Sequence, residues 1–187
     1  MPAPGFRAKV APDITEPEMT RMPLQPVTNA ILLTLTLATL SACGGISRQS
    51  ELECMERAMY FESNRSSRDG MIAVGSVVMN RVRSSQYPNT VCGVVGQRNQ
   101  FAKGVLSRKM DQRSAPLIRG AAISVLRGER HPLTRNAQFF HTATYRANYN
   151  NMHYVVTTGG NAFYEKRKPH LVTQPRPLPA IEGITGR

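Results

Sequence analysis

Tryptophan is absent from this 187-residue chain, and acidic residues are scarce: 12 Asp and Glu stand against 24 Lys and Arg. The net charge of +12 points to an acidic partner, whether nucleic acid, an anionic membrane surface or an anionic polymer. No run of five or six basic residues occurs, so no nucleic-acid tail is indicated and nucleic acid is not expected as a partner. Paired metal ligands are missing as well. Among Cys54, Cys92, His131, His141, His153 and His170 there is no CxxC and no HxxxH, and neither a metal nor a cofactor is expected. No apolar run approaches the ~20 residues of a membrane-spanning helix. The length suits one domain with a real core and hardly two. All Phe and Tyr except Phe6 lie after residue 59, which concentrates the folded part in the middle and later chain.

Cysteine is the next scarcity, with three in all. Ala30 to Leu40 is an apolar stretch of signal-peptide length. It ends in Leu40-Ser41-Ala42-Cys43, which resembles a bacterial lipobox and implies lipidation of Cys43 as the mature N-terminus. The alternative is an ordinary secretory signal with a chance cysteine. Positive charge upstream is thin, so Met19 or Met22 are alternative starts. Gly44 after the cysteine, by the sorting rule for such lipoproteins, implies the periplasmic face of the outer membrane. The expected layout is therefore an N-terminal extension and lipoprotein signal over 1–43, a tether over 44–50, a folded domain over 51–168 and a disordered, proline-rich tail over 169–187. An exported chain meets an oxidising compartment. With Cys43 set aside, Cys54 and Cys92 remain, and one disulfide between them is the simplest account. A Cys–His peptidase using Cys54 with His141 or His153 stays open beside it.

Leu52, Met55 and Met59 fall on one helical stripe, and Glu62 is the next position on it. A carboxylate on an inward stripe finds a partner, keeps its proton or lines a cleft. A protonated Glu is a ready general acid; a buried ion pair with one of the many arginines is the plain alternative. The first helix is expected over 51–64. Ser66, Ser67 and Asp69 offer caps for a second helix over 70–82, apolar nearly all round and so central. Its polar exceptions, Asn80 and Arg81, either satisfy buried groups or face a cleft. Ser114 and Pro116 start a helix over 117–127 that Gly128 stops. Residues 137–142, 154–158 and 162–164 read as short strands, the last two joined through Gly159 and Gly160. The fold class is α+β, mostly α, with short β segments near the C-terminal end.

Cys54 to Tyr164 resembles the SleB-type cell wall hydrolases, the family that includes spore cortex-lytic enzymes. The matching pieces are Ala58-Met59-Tyr60-Phe61-Glu62, Ala73 to Val82, Tyr87 to Val95, Gln100-Phe101, Phe140-His141 and Phe163-Tyr164, in the expected order. Several separated motifs in order are more specific than one short match. The resemblance implies a lysozyme-like fold, a peptidoglycan partner, cleavage between N-acetylmuramic acid and N-acetylglucosamine, and Glu62 as catalytic acid. Three positions depart from the family pattern: Ser63 for Ala, Ala102 for Ser after Gln-Phe, and Asn161 for a His.

Acidic scarcity also bears on mechanism. Two-carboxylate glycosidases need a second acid across the bond. After Glu62 the domain offers only Asp69, Asp111, Glu129 and Glu165, none in an apolar context. This favours a single acid/base, resembling the lytic transglycosylases. A hydrolytic muramidase with a second carboxylate and a non-catalytic glycan-binding lipoprotein are the alternatives. Gln100 and His141 are candidates for hydrogen bonds to sugar, and Tyr60, Phe101 and Tyr164 for sugar-facing surface. A monomer is expected.

Overall fold

The computed structural model describes residues 49–63 and 67–186. The signal segment, Cys43 and residues 44–48 of the tether lie outside the described residues. Helix α1 spans Glu51–Glu62. The Ser50 hydroxyl accepts from the Glu53 amide, and Glu51 and Glu53 place negative charge in the first turn, where the helix dipole favours it. The stripe is buried as its spacing requires: Cys54, Met55, Ala58 and Met59 are fully inside.

Helix α2, Arg68–Val82, is buried along nearly its whole length and forms the centre of the core. Its N-cap is Ser67, whose hydroxyl accepts from the Gly70 amide. Asp69, read from sequence as a possible cap, has another role described below. Gly75 lets α1 and α4 approach α2 closely. A Cβ there would stand 2.5 Å from the Met59 methyl and 3.0 Å from Val125. Short α3, Val91–Val95, is held to α1 twice. The Val91 amide donates to Glu51 at 2.7 Å, and Cys92 is bonded to the buried Cys54. This disulfide occupies both sulfurs and overturns the Cys–His peptidase alternative. Helix α4 covers Ala115–Leu126, two residues earlier at its start than its sequence suggests. A 3-10 turn over Gln112–Ser114 leads into it, and Ser114 sits at the N-cap without a side-chain hydrogen bond.

A three-stranded antiparallel sheet follows, in the order β1 (Phe139–Thr142), β3 (Asn161–Lys166), β2 (Met152–Thr158). The β2–β3 hairpin turns through Gly159 and Gly160, both at positive φ, 58° and 80°; two such residues match the twist of a tight hairpin. Gly159 also lies against Gly70, where a Cβ would come within 2.5 Å of backbone, so the hairpin tip packs on the start of α2. The helices-then-sheet order is the mostly helical α+β class.

The chain after β3 does not behave as composition suggests. Expected to be disordered, residues 169–186 instead run back along the domain. The Tyr154 amide donates to the Gln174 carbonyl and the Ile181 amide to the Thr157 carbonyl, both at 2.9 Å, and Thr157 pairs with Ala180 in a parallel bridge. Glu182 then accepts from the Gly159 amide at 2.6 Å and from the Ser67 hydroxyl. The Ile184 and Thr185 amides donate to the Asp69 carboxylate, each at 2.7 Å, and the Thr185 hydroxyl joins them. Two of these are backbone–backbone bonds and the rest end on the Glu182 or Asp69 carboxylate, and residue composition reports neither kind of long-range pairing. The folded domain thus extends past residue 168.

Candidate active site

Glu62 is the last residue of α1. The helix is stopped by Ser63, whose amide and hydroxyl both donate to the Met59 carbonyl, the hydroxyl at 2.6 Å. The Glu62 carbonyl accepts from the Asn161 side-chain amide at 2.6 Å. Asn161, the first residue of β3, therefore ties the strand to the helix end. The Glu62 side chain is half-buried and its Oε1 accepts from the Ala102 amide at 2.5 Å. That donor is a backbone amide, which does not depend on the side chain at 102.

Glu62 opens onto a cleft of about 450 Å³. Arg81, Phe101 and Phe140 line it on the protein side; Asn99, Gln100, His141, Thr142, Tyr145 and Asn161 complete the lining. Burial pushes the Glu62 carboxyl above its ordinary range, against the opposing pull of the Ala102 amide and the Arg81 charge. The carboxyl thus keeps its proton to higher pH than an ordinary glutamate, the direction a general acid requires.

Arg81 is the site residue that sequence reasoning left undecided. It is 3 % exposed. Its Nε donates to the Gln138 carbonyl at 2.7 Å, and its Cζ lies 5.3 Å from the rings of both Tyr87 and Phe101 and 5.9 Å from Phe139. Burial pushes the guanidinium below its usual range, yet Arg keeps its charge in proteins, so a fixed cation stands beside Glu62. Its neighbour Asn80 is structural, donating to the Arg135 and Ala137 carbonyls, each at 2.9 Å. The one legible signal for Arg81 was a cation at the end of an otherwise apolar helix.

The expected substrate-facing residues divide. Gln100 and Phe101 line the cleft beside Glu62. His141 lines it too, but both ring nitrogens are engaged within the protein. Nδ1 lies 2.8 Å from the Thr142 carbonyl and Nε2 lies 2.7 Å from the Tyr154 hydroxyl. A carbonyl only accepts, so the network puts the proton on Nδ1 and leaves Nε2 to take the tyrosine O–H. His141 thus offers ring surface rather than a free donor. Tyr164 does not itself line the cleft; it stacks on Phe139 at 5.5 Å and lies 5.7 Å from His141, which does line it. Tyr60 is not brought there either. Its hydroxyl accepts from the Asp111 amide at 2.8 Å, and its ring lines a separate depression with Met110 and Ile118. Two residues along a helix is a turn of roughly 200°, which sends Tyr60 away from the Glu62 side.

Among the described residues Glu62 is the one carboxylate lining this cleft. Glu129 pairs with Arg68 at 2.6 Å and Glu165 with Arg167 at 2.7 Å. Asp111 accepts from the Arg113 amide beside Tyr60, and Asp69 holds the C-terminal segment. A larger cavity, about 790 Å³, lies between the start of α2, α4 and that segment. Its carboxylates, Asp69 and Glu182, are both taken up by protein donors, so the smaller cleft is where an acid is available.

Residues 65–164 match the Cell Wall Hydrolase family, and the chain belongs to that family. The matched stretch begins three residues after Glu62. The chain is 40 % identical over 53 residues to a spore cortex-lytic enzyme of Bacillus cereus and 34 % identical over 53 residues to one of Oceanobacillus iheyensis. These alignments cover 28 % of this chain and only about a fifth of each relative, 20 % and 19 %. Two solved structures share the fold. The catalytic domain of the germination-specific lytic transglycosylase SleB from Bacillus anthracis superposes with a TM-score of 0.52 at 26 % identity, over 65 % of this chain and 98 % of that domain. The Bacillus cereus SleB catalytic domain gives 0.52 at 25 % identity, over 64 % and 94 %. The mostly helical domain with its C-terminal three-stranded sheet is therefore the SleB catalytic domain fold.

Proposed function

We propose that this protein cuts the bond between N-acetylmuramic acid and N-acetylglucosamine in peptidoglycan as a lytic transglycosylase, with Glu62 as the single acid and base. Protonated Glu62 gives its proton to the glycosidic oxygen as the bond to the muramyl anomeric carbon breaks. The substrate's own acetamido oxygen stabilises the positive charge at that carbon. Glu62, now a carboxylate beside the Arg81 cation, takes the proton of the muramyl C6 hydroxyl. That oxygen then closes onto the anomeric carbon. The products are a 1,6-anhydro-muramyl end and a free N-acetylglucosamine hydroxyl, and Glu62 is protonated again for the next cycle.

The observation that carries this reading is the lone, half-buried acid in the cleft, with every other carboxylate after it among the described residues engaged elsewhere or outside the cleft. A hydrolytic muramidase would need one of them opposite Glu62. The Bacillus anthracis relative, itself described as a lytic transglycosylase, supports the same reaction class. Such an enzyme meets its substrate outside the cytoplasm, in keeping with an exported chain anchored through a lipid on Cys43 at the outer membrane. The test is digestion of purified sacculi, with mass spectrometry of the soluble products. Anhydro-muropeptides are expected. Reducing ends would instead make the protein a hydrolase, and intact sacculi with bound protein would make it a glycan-binding lipoprotein.

A further inference from the structure

Among the described residues, two aromatic rings are left exposed, Tyr145 at 54 % and Tyr149 at 70 %. Both sit in the loop between β1 and β2, and Tyr145 also lines the Glu62 cleft. A solvent-facing tyrosine on a loose loop would carry no meaning, but this loop is pinned at its start. The Tyr145 amide donates to the Thr142 carbonyl and the Ala143 amide to the Gly160 carbonyl, both at 2.9 Å. The Tyr145 ring meets His141 edge-on, with centroids 5.2 Å apart, and His141 is locked through both nitrogens. The ring is therefore pre-set beside the cleft while more than half of it stays uncovered. Binding to such a surface costs little ordering.

We propose that Tyr145, backed by His141, is a stacking subsite for a pyranose ring of the glycan strand at the rim of the Glu62 cleft. This rests on the reading of the cleft as a glycan-cleaving site and assigns it a further binding residue. The chemistry favours a sugar. A pyranose has a flat C–H face ringed by hydroxyls, and tyrosine offers an apolar face with a polar tip.

The absence of tryptophan from the chain makes the test clean. In the full-length Glu62→Gln protein, where strands are bound without turnover, Tyr145→Trp installs a single indole. Peptide-free glycan strands from amidase-treated sacculi are the probe. Their binding is expected to blue-shift the indole emission. By co-sedimentation, Tyr145→Ala is expected to weaken binding roughly three- to ten-fold, with Tyr145→Phe within about two-fold of the parent. An unchanged emission at saturation, unchanged binding by Tyr145→Ala, or binding only to peptide-bearing strands would overturn the subsite. Product release by the otherwise wild-type enzyme reads the reaction separately. Anhydro-fragments together with an indifferent Tyr145→Ala would sink the subsite alone. A shifted indole with no fragments from the wild type would sink the transglycosylase reading and leave the subsite standing.

Discussion

Glu62, half-buried, and Asp69, buried, stand seven positions apart in the chain, and the protein treats them in opposite ways. Glu62 ends α1, at the negative end of its dipole; Asp69 lies in the first turn of α2, at the positive end. Glu62 receives one backbone amide and faces a cleft. Asp69 receives two amides and a hydroxyl and faces none of the cleft. Burial raises the Glu62 carboxyl, and its single amide and Arg81 do not undo that. Burial also pushes Asp69 upward, but Thr185 and the Ile184 and Thr185 amides outweigh it and leave Asp69 below its ordinary value. Donor count, set against the cost of burial, separates an acid kept ready to give a proton from an anion used as a clamp.

The sharpest break in this comparison is Glu62→Gln. Turnover on sacculi is expected to fall about 10³-fold or more, while the fold remains. Stability is expected to move the other way. A raised folded-state pKa means the folded protein binds its proton more tightly than the unfolded chain does. Stability is therefore lost as pH rises from the ordinary 4.5 through the folded value. The Gln variant escapes that loss, so it should melt higher than wild type at pH 7 and lose the advantage below about pH 4.

Removing the disulfide is the control that touches neither acid's partners. Cys54→Ser with Cys92→Ser opens a link across 38 residues and is expected to cost about 4 kcal/mol in denaturant unfolding. Glu62 should keep its raised pKa in whatever fraction remains folded.

Asp69→Asn comes next. It weakens the clamp on residues 184–185, with an expected cost of about 1–3 kcal/mol and turnover within about two-fold of wild type. The wild-type contribution of Asp69 is present above the ordinary 3.8 and is lost as pH falls through its lower folded value. The gap between wild type and variant should therefore close in acid, the reverse of the Glu62 pattern. Proteolysis of the C-terminal segment should quicken in the variant at neutral pH.

The smallest effect sharpens the comparison from the side of Glu62. Arg81 pulls the Glu62 carboxyl down, so Arg81→Gln should raise it further. Activity needs the protonated acid, and the alkaline limb of kcat/KM should then move to higher pH. A purely structural role for Arg81 would lower activity at every pH without moving the limb.

Much of this arrangement was legible in the sequence, and what was not has physical reasons. The stripe Leu52, Met55, Met59, Glu62 placed the acid at the end of a buried face, because helical spacing reports which side faces the core. Cysteine scarcity left Cys54 and Cys92 as a pair. Branched and aromatic clusters located all three strands, within two residues at their ends. Tyr60 misled because proximity in sequence to Glu62 is not proximity on a helix surface. Tyr164 misled because it lies on Phe139 and against His141, and His141 is the ring that lines the cleft. Asp69 looked like a cap, and the chain after residue 168 looked disordered, for one shared reason: the bonds that join them are long-range, running from backbone amides to a carboxylate 115 and 116 positions away. Arg81 hid in an apolar helix, where a single cation does not announce whether it meets rings, carbonyls or an acid.

The most direct test of the central claim is a carbon-detected NMR titration of the side-chain carboxyls in the folded wild-type protein, read at Glu62 and Asp69 in one sample. The account expects the Glu62 midpoint above 4.5 and the Asp69 midpoint below 3.8. A Glu62 carboxyl that titrates at or below 4.5 would contradict it, for the cleft would then hold an ordinary anion and no acid kept ready to donate.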